Sequence, residues 1–143
     1  MGLYNADDIK FLLTLRGICI AYRLGKLVSP EVRKISTEND LIAQFKAERE
    51  NIGRYFILRG GKLESRRGIH PNPEWSWVFS DSATAFNILK AGSDEVVAQA
   101  TMEGKVRSEG DAGKGFWFLN MMKVAKTALM SPADMFKKKT EGE

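Results

Sequence analysis

The apolar positions change period several times along the chain, and each change marks an element. Between residues 6 and 26 the runs Phe11-Leu12-Leu13-Thr14-Leu15 and Ile18-Cys19-Ile20-Ala21-Tyr22 predict a first helix, from about Ala6 to Lys26. Asp7 and Asp8 suit its start, where acidic groups meet the positive end of the helix dipole, and Gly25 suits its close. Lys10, Arg16 and Arg23 interrupt the run, so no stretch reaches the roughly 20 apolar residues of a bilayer span. Two settings stay open for it: docked on the domain, or lying as a cationic amphipathic helix on a membrane surface. Leu27 to Ile35 contains Pro30 and reads as a linker. Next, Leu41, Ala43, Phe45 and Ala47 alternate with Gln44, Lys46 and Glu48, the period of a half-buried strand. Leu41, Ile42 and Phe45 also fit a helix, which the Glu, Lys and Ala content would favour.

Period two then dominates. A turn at Asn51-Ile52-Gly53 precedes a strand over Arg54–Arg59, and Lys62–Arg67 returns beside it. Gly60-Gly61 between them is a two-residue hairpin signal, because glycine reaches the positive φ angles such turns require. Gly68-Ile69-His70-Pro71-Asn72-Pro73 is a loop, since proline removes donors and biases its neighbours away from helix. Trp75, Trp77 and Phe79 share one face of the next strand, an aromatic surface that needs cover or lines a pocket. Ser80 or Asp81 caps a helix from about Ser82 to Lys90 that ends at Gly92, with Ala85, Phe86 and Leu89 inward. Ser93 caps another over Asp94–Met102, and Lys105–Glu109 is a last short strand.

Asp111 stands at the N-cap of the final helix, which Ser131-Pro132 stops. Trp117, Phe118, Met121, Met122, Ala125, Ala128 and Leu129 give this helix more apolar surface than one packed face needs, with Asn120, Lys123, Lys126 and Thr127 as its polar face. Periodicity allows a core helix or one wall of a lipid cavity. Methionine, with three rotatable bonds, adapts to ligands of varied shape, and five of the six methionines lie after residue 101.

Composition narrows the field. At 143 residues the chain is expected to form one domain, and 43% hydrophobic with 28% charged residues is ordinary for a soluble one. The single Cys19 excludes an internal disulfide and reads as a small buried residue. One histidine, His70, leaves no material for a histidine-based triad or zinc site. The net charge of +4 is uneven: Arg54, Arg59, Lys62, Arg66 and Arg67 face Glu64 alone. Such a hairpin is a solvated face or meets anionic headgroups, an acyl-CoA phosphate or nucleic acid. Nucleic acid is disfavoured, because no recognition motif and no aromatics interleaved with the charges on one face accompany the basic residues. No P-loop, Rossmann glycine pattern, nucleophile elbow or internal repeat occurs, and no residue set pairs a nucleophile with a base. The chain is therefore read as non-catalytic, without cofactor or metal. Residues 1–6 lack the shape of a signal peptide, which points to the cytoplasm, with peripheral membrane contact as an extension.

Three segments together carry a resemblance: Tyr55-Phe56-Ile57-Leu58-Arg59-Gly60-Gly61-Lys62-Leu63-Glu64, Trp77-Val78-Phe79-Ser80-Asp81-Ser82-Ala83-Thr84-Ala85-Phe86, and Met102-Glu103-Gly104-Lys105-Val106-Arg107-Ser108-Glu109-Gly110-Asp111. From Tyr55 to Leu129, about half the chain, the sequence resembles the sterol-binding domain of the sterol carrier protein-2 family. The resemblance implies an α/β (α+β) fold, in which about five mostly antiparallel strands are covered on one face by helices. It also implies a strand at Leu41–Glu48; the N-terminal helix is extra to the matched region and more apolar than the family's usual first helix. The expected division is an amphipathic helix and linker over 1–35, the lipid-binding domain over 36–130 and a mobile tail over 131–143. The implied ligand is a fatty acyl chain, phospholipid, sterol or isoprenoid, in an apolar cavity between the sheet and the last helix. Its expected wall is Phe86, Leu89, Met102, Trp117, Phe118, Met121 and Met122, with Phe56, Leu58, Trp75 and Trp77 on the sheet side. The partners expected are an apolar small molecule, an anionic membrane at its periphery and a second copy of the chain. An accessory role in a lipid- or quinone-metabolising complex, docking through the first helix, is the alternative.

Overall fold

The structure, a computed structural model, describes residues 4–129. The expected tail over 131–143 lies outside that range. Helix α1 (Ala6–Val28) opens with a reciprocal cap: the Asp8 N–H donates to Asn5 Oδ1 at 2.8 Å and the Asn5 N–H to Asp8 Oδ2 at 3.1 Å. It does not stop at Gly25. Gly25 instead lies where the last helix crosses, and a Cβ there would come within 2.9–3.0 Å of Ala125. The segment read as a linker holds a second helix, α2 (Pro30–Ile35). Pro30 sits in its first turn, where the missing N–H has no intrahelical partner to lose, and Ser29 caps it.

Strands β1 (Leu41–Ala47), β2 (Ile52–Arg59), β3 (Lys62–Arg67) and β4 (Trp75–Phe79) follow. Helices α3 (Ser82–Ala91) and α4 (Asp94–Met102), strand β5 (Val106–Gly110) and helix α5 (Ala112–Ala128) complete the chain. β5 starts one residue later than expected, because the Lys105 N–H donates to Ala100 O at 2.8 Å and closes α4. The sheet order is β3-β2-β1-β4-β5, antiparallel throughout except for the parallel pair β1–β4. Gly60 and Gly61, at φ of 56° and 83°, make the two-residue turn of the β2–β3 hairpin.

Alternation decides which face is covered. Leu41, Ala43, Phe45, Ala47, Phe56, Leu58, Leu63, Trp75, Phe79 and Val106 are buried on one side, under the helices. The opposite side is only partly closed, by the loop after β3. There the His70 N–H donates to the buried Gln44 Oε1 at 2.6 Å, and Tyr55 packs edge-on to His70 with centroids 4.9 Å apart.

The first helix belongs to the same core as the sheet. Phe11, Leu15, Cys19 and Tyr22 recur at the spacing of one helix face and are buried. α1 packs between α3 and α5 and reaches β2 and β3. Polar contacts lock it there: Tyr22 Oη and Lys26 Nζ both donate to Gly61 O, and Ser82 Oγ donates to the buried Asp8 Oδ1 at 2.6 Å.

Candidate functional site

Helix α5 starts against the sheet because two residues let it. Asp111 Oδ1 accepts the Lys114 N–H at 3.1 Å, closing the first turn. Gly115 has no side chain, and a Cβ on it would stand 2.3 Å from the Trp75 ring. Polar contacts then pin the start of the helix. Lys114 Nζ reaches Glu74 Oε2 at 2.6 Å, and the Trp117 indole N–H donates to Glu38 Oε1 at 3.1 Å. Trp75 is fixed in turn by its indole N–H donating to Ser108 Oγ at 2.7 Å.

Under α5 lies an aromatic cluster centred on Phe45. Its ring meets Phe56, Trp75 and Trp77 edge-on, at 5.7, 5.7 and 5.9 Å between centroids, and Phe118 from α5 closes over it at 6.4 Å. Edge-to-face pairs of this kind add about 0.5–1.5 kcal/mol each beyond simple burial.

Of the residues expected to wall a cavity, Phe56, Leu58, Trp75, Phe118 and Met121 are brought together here, and Trp77, Leu89, Trp117 and Met122 surround them half-buried. Phe56, Leu58, Phe118 and Met121 are 0% exposed. A side chain at zero exposure has no water-sized void against it, so in this conformation the layer is filled by the protein's own side chains. Two expected wall residues stand elsewhere. Met102 is 86% exposed at the end of α4. Phe86 packs between Lys10 and Lys90, whose Nζ atoms lie 5.6 and 5.8 Å from its ring centre. α3 is rotated from the expected face: Ser82, Ala85 and Ile88 are buried, Ile88 takes the place foreseen for Phe86, and Leu89 stays half-buried against the core.

Open depressions occur away from this layer. One of about 340 Å³ lies between α3 and α4, bordered by Thr84, Ile88, Glu95, Val96, Gln99 and Glu103. Another, of about 430 Å³ and largely polar, lies beside Asn5, Arg49, Glu50 and Asp81. Neither is lined by the expected wall.

Sequence reading missed a second apolar face on α1. Ile9, Leu13, Ile20, Leu24, Leu27 and Val28 form a row opposite the buried face and stand exposed, Leu13 at 61% and Leu27 at 75%. The signal was there: the helix has too many apolar positions for one stripe. Among the described residues no helix is long and apolar enough to cross a membrane, and no group of three or more His, Cys, Asp or Glu could hold a metal ion.

No model of a known protein family matches the sequence, and no curated protein matches it. Solved structures do. Sterol carrier protein 2 from Yarrowia lipolytica, in its apo form, is 13% identical, with a TM-score of 0.58 over 88% of this chain and 98% of that one. A UbiJ-SCP2 ubiquinone synthesis protein is 10% identical at a TM-score of 0.54, covering 80% and 96%. A further sterol carrier protein 2 is 15% identical at 0.50, covering 77% and 94%. Two structures of the sec-alkylsulfatase Pisa1 from Pseudomonas sp. align at TM-scores of 0.48 and 0.49, and the chain spans 14% and 16% of their length. The chain has the sterol carrier protein-2 fold.

Proposed function

We propose that this chain is a non-catalytic lipid-binding protein. It takes the apolar chain of a fatty acyl group, phospholipid, sterol or isoprenoid between α5 and the sheet, and works in the cytoplasm with peripheral membrane contact. The observation that carries this reading is the chemistry of the layer under α5. Phe118 and Met121 on the helix meet Phe45, Phe56 and Trp75 on the sheet, and Trp117, Leu119, Met122 and Val124 continue the apolar surface at its margins. Among the described residues no buried side-chain polar atom lacks a partner, so the layer holds no unpaired polar group that would call for a polar guest. The likeness of fold to sterol carrier protein 2 supports a lipid as the guest.

Native mass spectrometry after mild purification, with a fluorescent fatty acid titrated in parallel, tests this. Lipid mass on the protein and saturable uptake are expected. A bare mass together with no uptake would overturn the reading.

A second reading is favoured by the exposed row on α1. In it the chain is an accessory protein of a lipid- or quinone-metabolising complex, and α1 docks its partner. A patch of this kind rarely stays solvated. Replacing Leu13 and Leu24 by Glu then abolishes assembly while lipid uptake is unchanged; loss of uptake with assembly intact would reject this reading.

A further inference from the structure

β2 and β3 place two arginines directly opposite each other. Arg54 pairs with Arg67 in the antiparallel register, on the face that carries Phe56, Leu58 and Leu63 under the helices. Like charges directly opposite destabilise a strand pair. A third cation joins from α1, which rests on both strands. Arg54 is half-buried, and its acidity is raised first by that burial and then by the positive charges of Arg16 and Arg67 beside it. Arg23, two turns beyond Arg16, closes the same side of α1 by donating to Leu63 O at 3.1 Å.

Nothing anionic answers these charges among the described residues. Glu64 is the one acid of the hairpin, and alternation turns it to the other face, where it pairs with Lys62 at 3.9 Å and Arg66 at 3.0 Å. Arg16, Arg54 and Arg67 each lack a carboxylate within 4 Å among the described residues. Arg54 spends its Nε–H on Ser65 Oγ, and among the described residues neither terminal nitrogen of its guanidinium donates a hydrogen bond.

We propose that Arg16, Arg54 and Arg67, with the Ser65 hydroxyl, form a binding site for a phosphate group. Guanidinium forks match tetrahedral oxyanions in geometry, and a phosphate can supply more than one negative charge to three cations. A carboxylate supplies one. Arg16 also stands at the margin of the exposed row on α1, one turn from Leu13 and Ile20. An amphiphile with a phosphate head would thus meet both surfaces. The phosphate comes from a lipid headgroup or from a soluble phosphate ester, and the site's chemistry is the same for both.

The experiment uses the whole chain. Thermal unfolding is followed in potassium phosphate and in potassium chloride of equal ionic strength. In parallel, co-sedimentation is measured with vesicles of phosphatidylcholine alone and of phosphatidylcholine mixed with phosphatidylglycerol. Phosphate is expected to raise the melting temperature beyond chloride. Arg54→Gln with Arg67→Gln removes that rise, each lost guanidinium weakening phosphate roughly tenfold or more. Arg16→Gln, on the exposed helix surface, weakens it without touching the core. Arg59→Gln with Lys62→Gln, an equal charge loss elsewhere on the hairpin, leaves it unchanged. Sedimentation with phosphatidylglycerol that the Arg54 and Arg67 pair abolishes assigns the headgroup as the source; a phosphate response without sedimentation assigns a soluble ester. No specific response in either arm, or equal responses from the site and control variants, overturns the proposal. Lipid uptake into the layer under α5 is read separately, so the two proposals fail independently.

Discussion

Gly115 lies flat against the indole of Trp75, so close that a methyl group on it would stand 2.3 Å from the ring. This contact sets the height of α5 above the sheet and thereby the thickness of the layer beneath it. Trp75 cannot retreat readily, since its indole N–H is held by Ser108 and its ring by Phe45.

Gly115→Ala is expected to destabilise the protein by about 1–3 kcal/mol through overpacking, despite alanine's better helix propensity. Thermal unfolding measures it. A variant as stable as the parent would mean that α5 shifts freely, and Trp75 would then not set its height.

Gly17→Ala should act in the opposite direction. It sits mid-helix in α1, where nothing lies within 4 Å of the position a Cβ would take. Replacing a helical glycine in open space stabilises by roughly 0.5–1 kcal/mol. Denaturant unfolding of the two glycine variants side by side checks both signs.

Asp81 caps α3 by accepting the Thr84 N–H at 2.8 Å, and this bond, ahead of the burial that opposes it, holds its carboxyl below the usual carboxylate range. A folded-state value below the unfolded one gives stability that is complete above the unfolded pKa and is lost as pH falls through the folded one. Asp81→Ala is expected to cost about 1 kcal/mol at neutral pH. Asp81→Asn keeps an acceptor without a titrating group, so its stability falls less steeply with acid than the parent's. Denaturant unfolding across a pH series reads the difference.

Cys19 faces the core from α1, and burial pushes its thiol up, outweighing the lowering by Arg23 and Arg54. It should not react with a water-soluble disulfide reagent at neutral pH while the chain is folded, and should react fully in denaturant. Fast labelling in native buffer would show that α1 lifts from the sheet, a result that bears on how the layer under α5 opens.

Local signals were legible where they depend on neighbours in sequence. The β2–β3 hairpin, β4 and the caps of α3, α4 and α5 follow from period two, Gly60-Gly61 and single capping residues. The short α2 was not, because Pro30 reads as a breaker until Ser29 is seen to cap a turn that begins with it. Choosing among wall residues failed for a different reason. Phe86 and Ile88 are both apolar and two apart on one helix, and their order of burial depends on Lys10 of α1 lying over Phe86. Met102 ends its helix, where period carries little information.

The amino-acid order by itself determined strands β2 to β5, helices α1 and α3 to α5, and the caps of α3, α4 and α5, since their signals lie a few residues apart; the period alone left β1 open between strand and helix. It also carried the resemblance that led to the sterol carrier protein-2 fold. Tertiary structure decided the rest. It placed α1 in the core with a second apolar face outward, filled the layer under α5, and laid α1, which carries Arg16, against β2 and β3. Those outcomes depend on how whole elements rotate and stack, and a rotation of one helical position exchanges a wall residue for a surface one at little local cost.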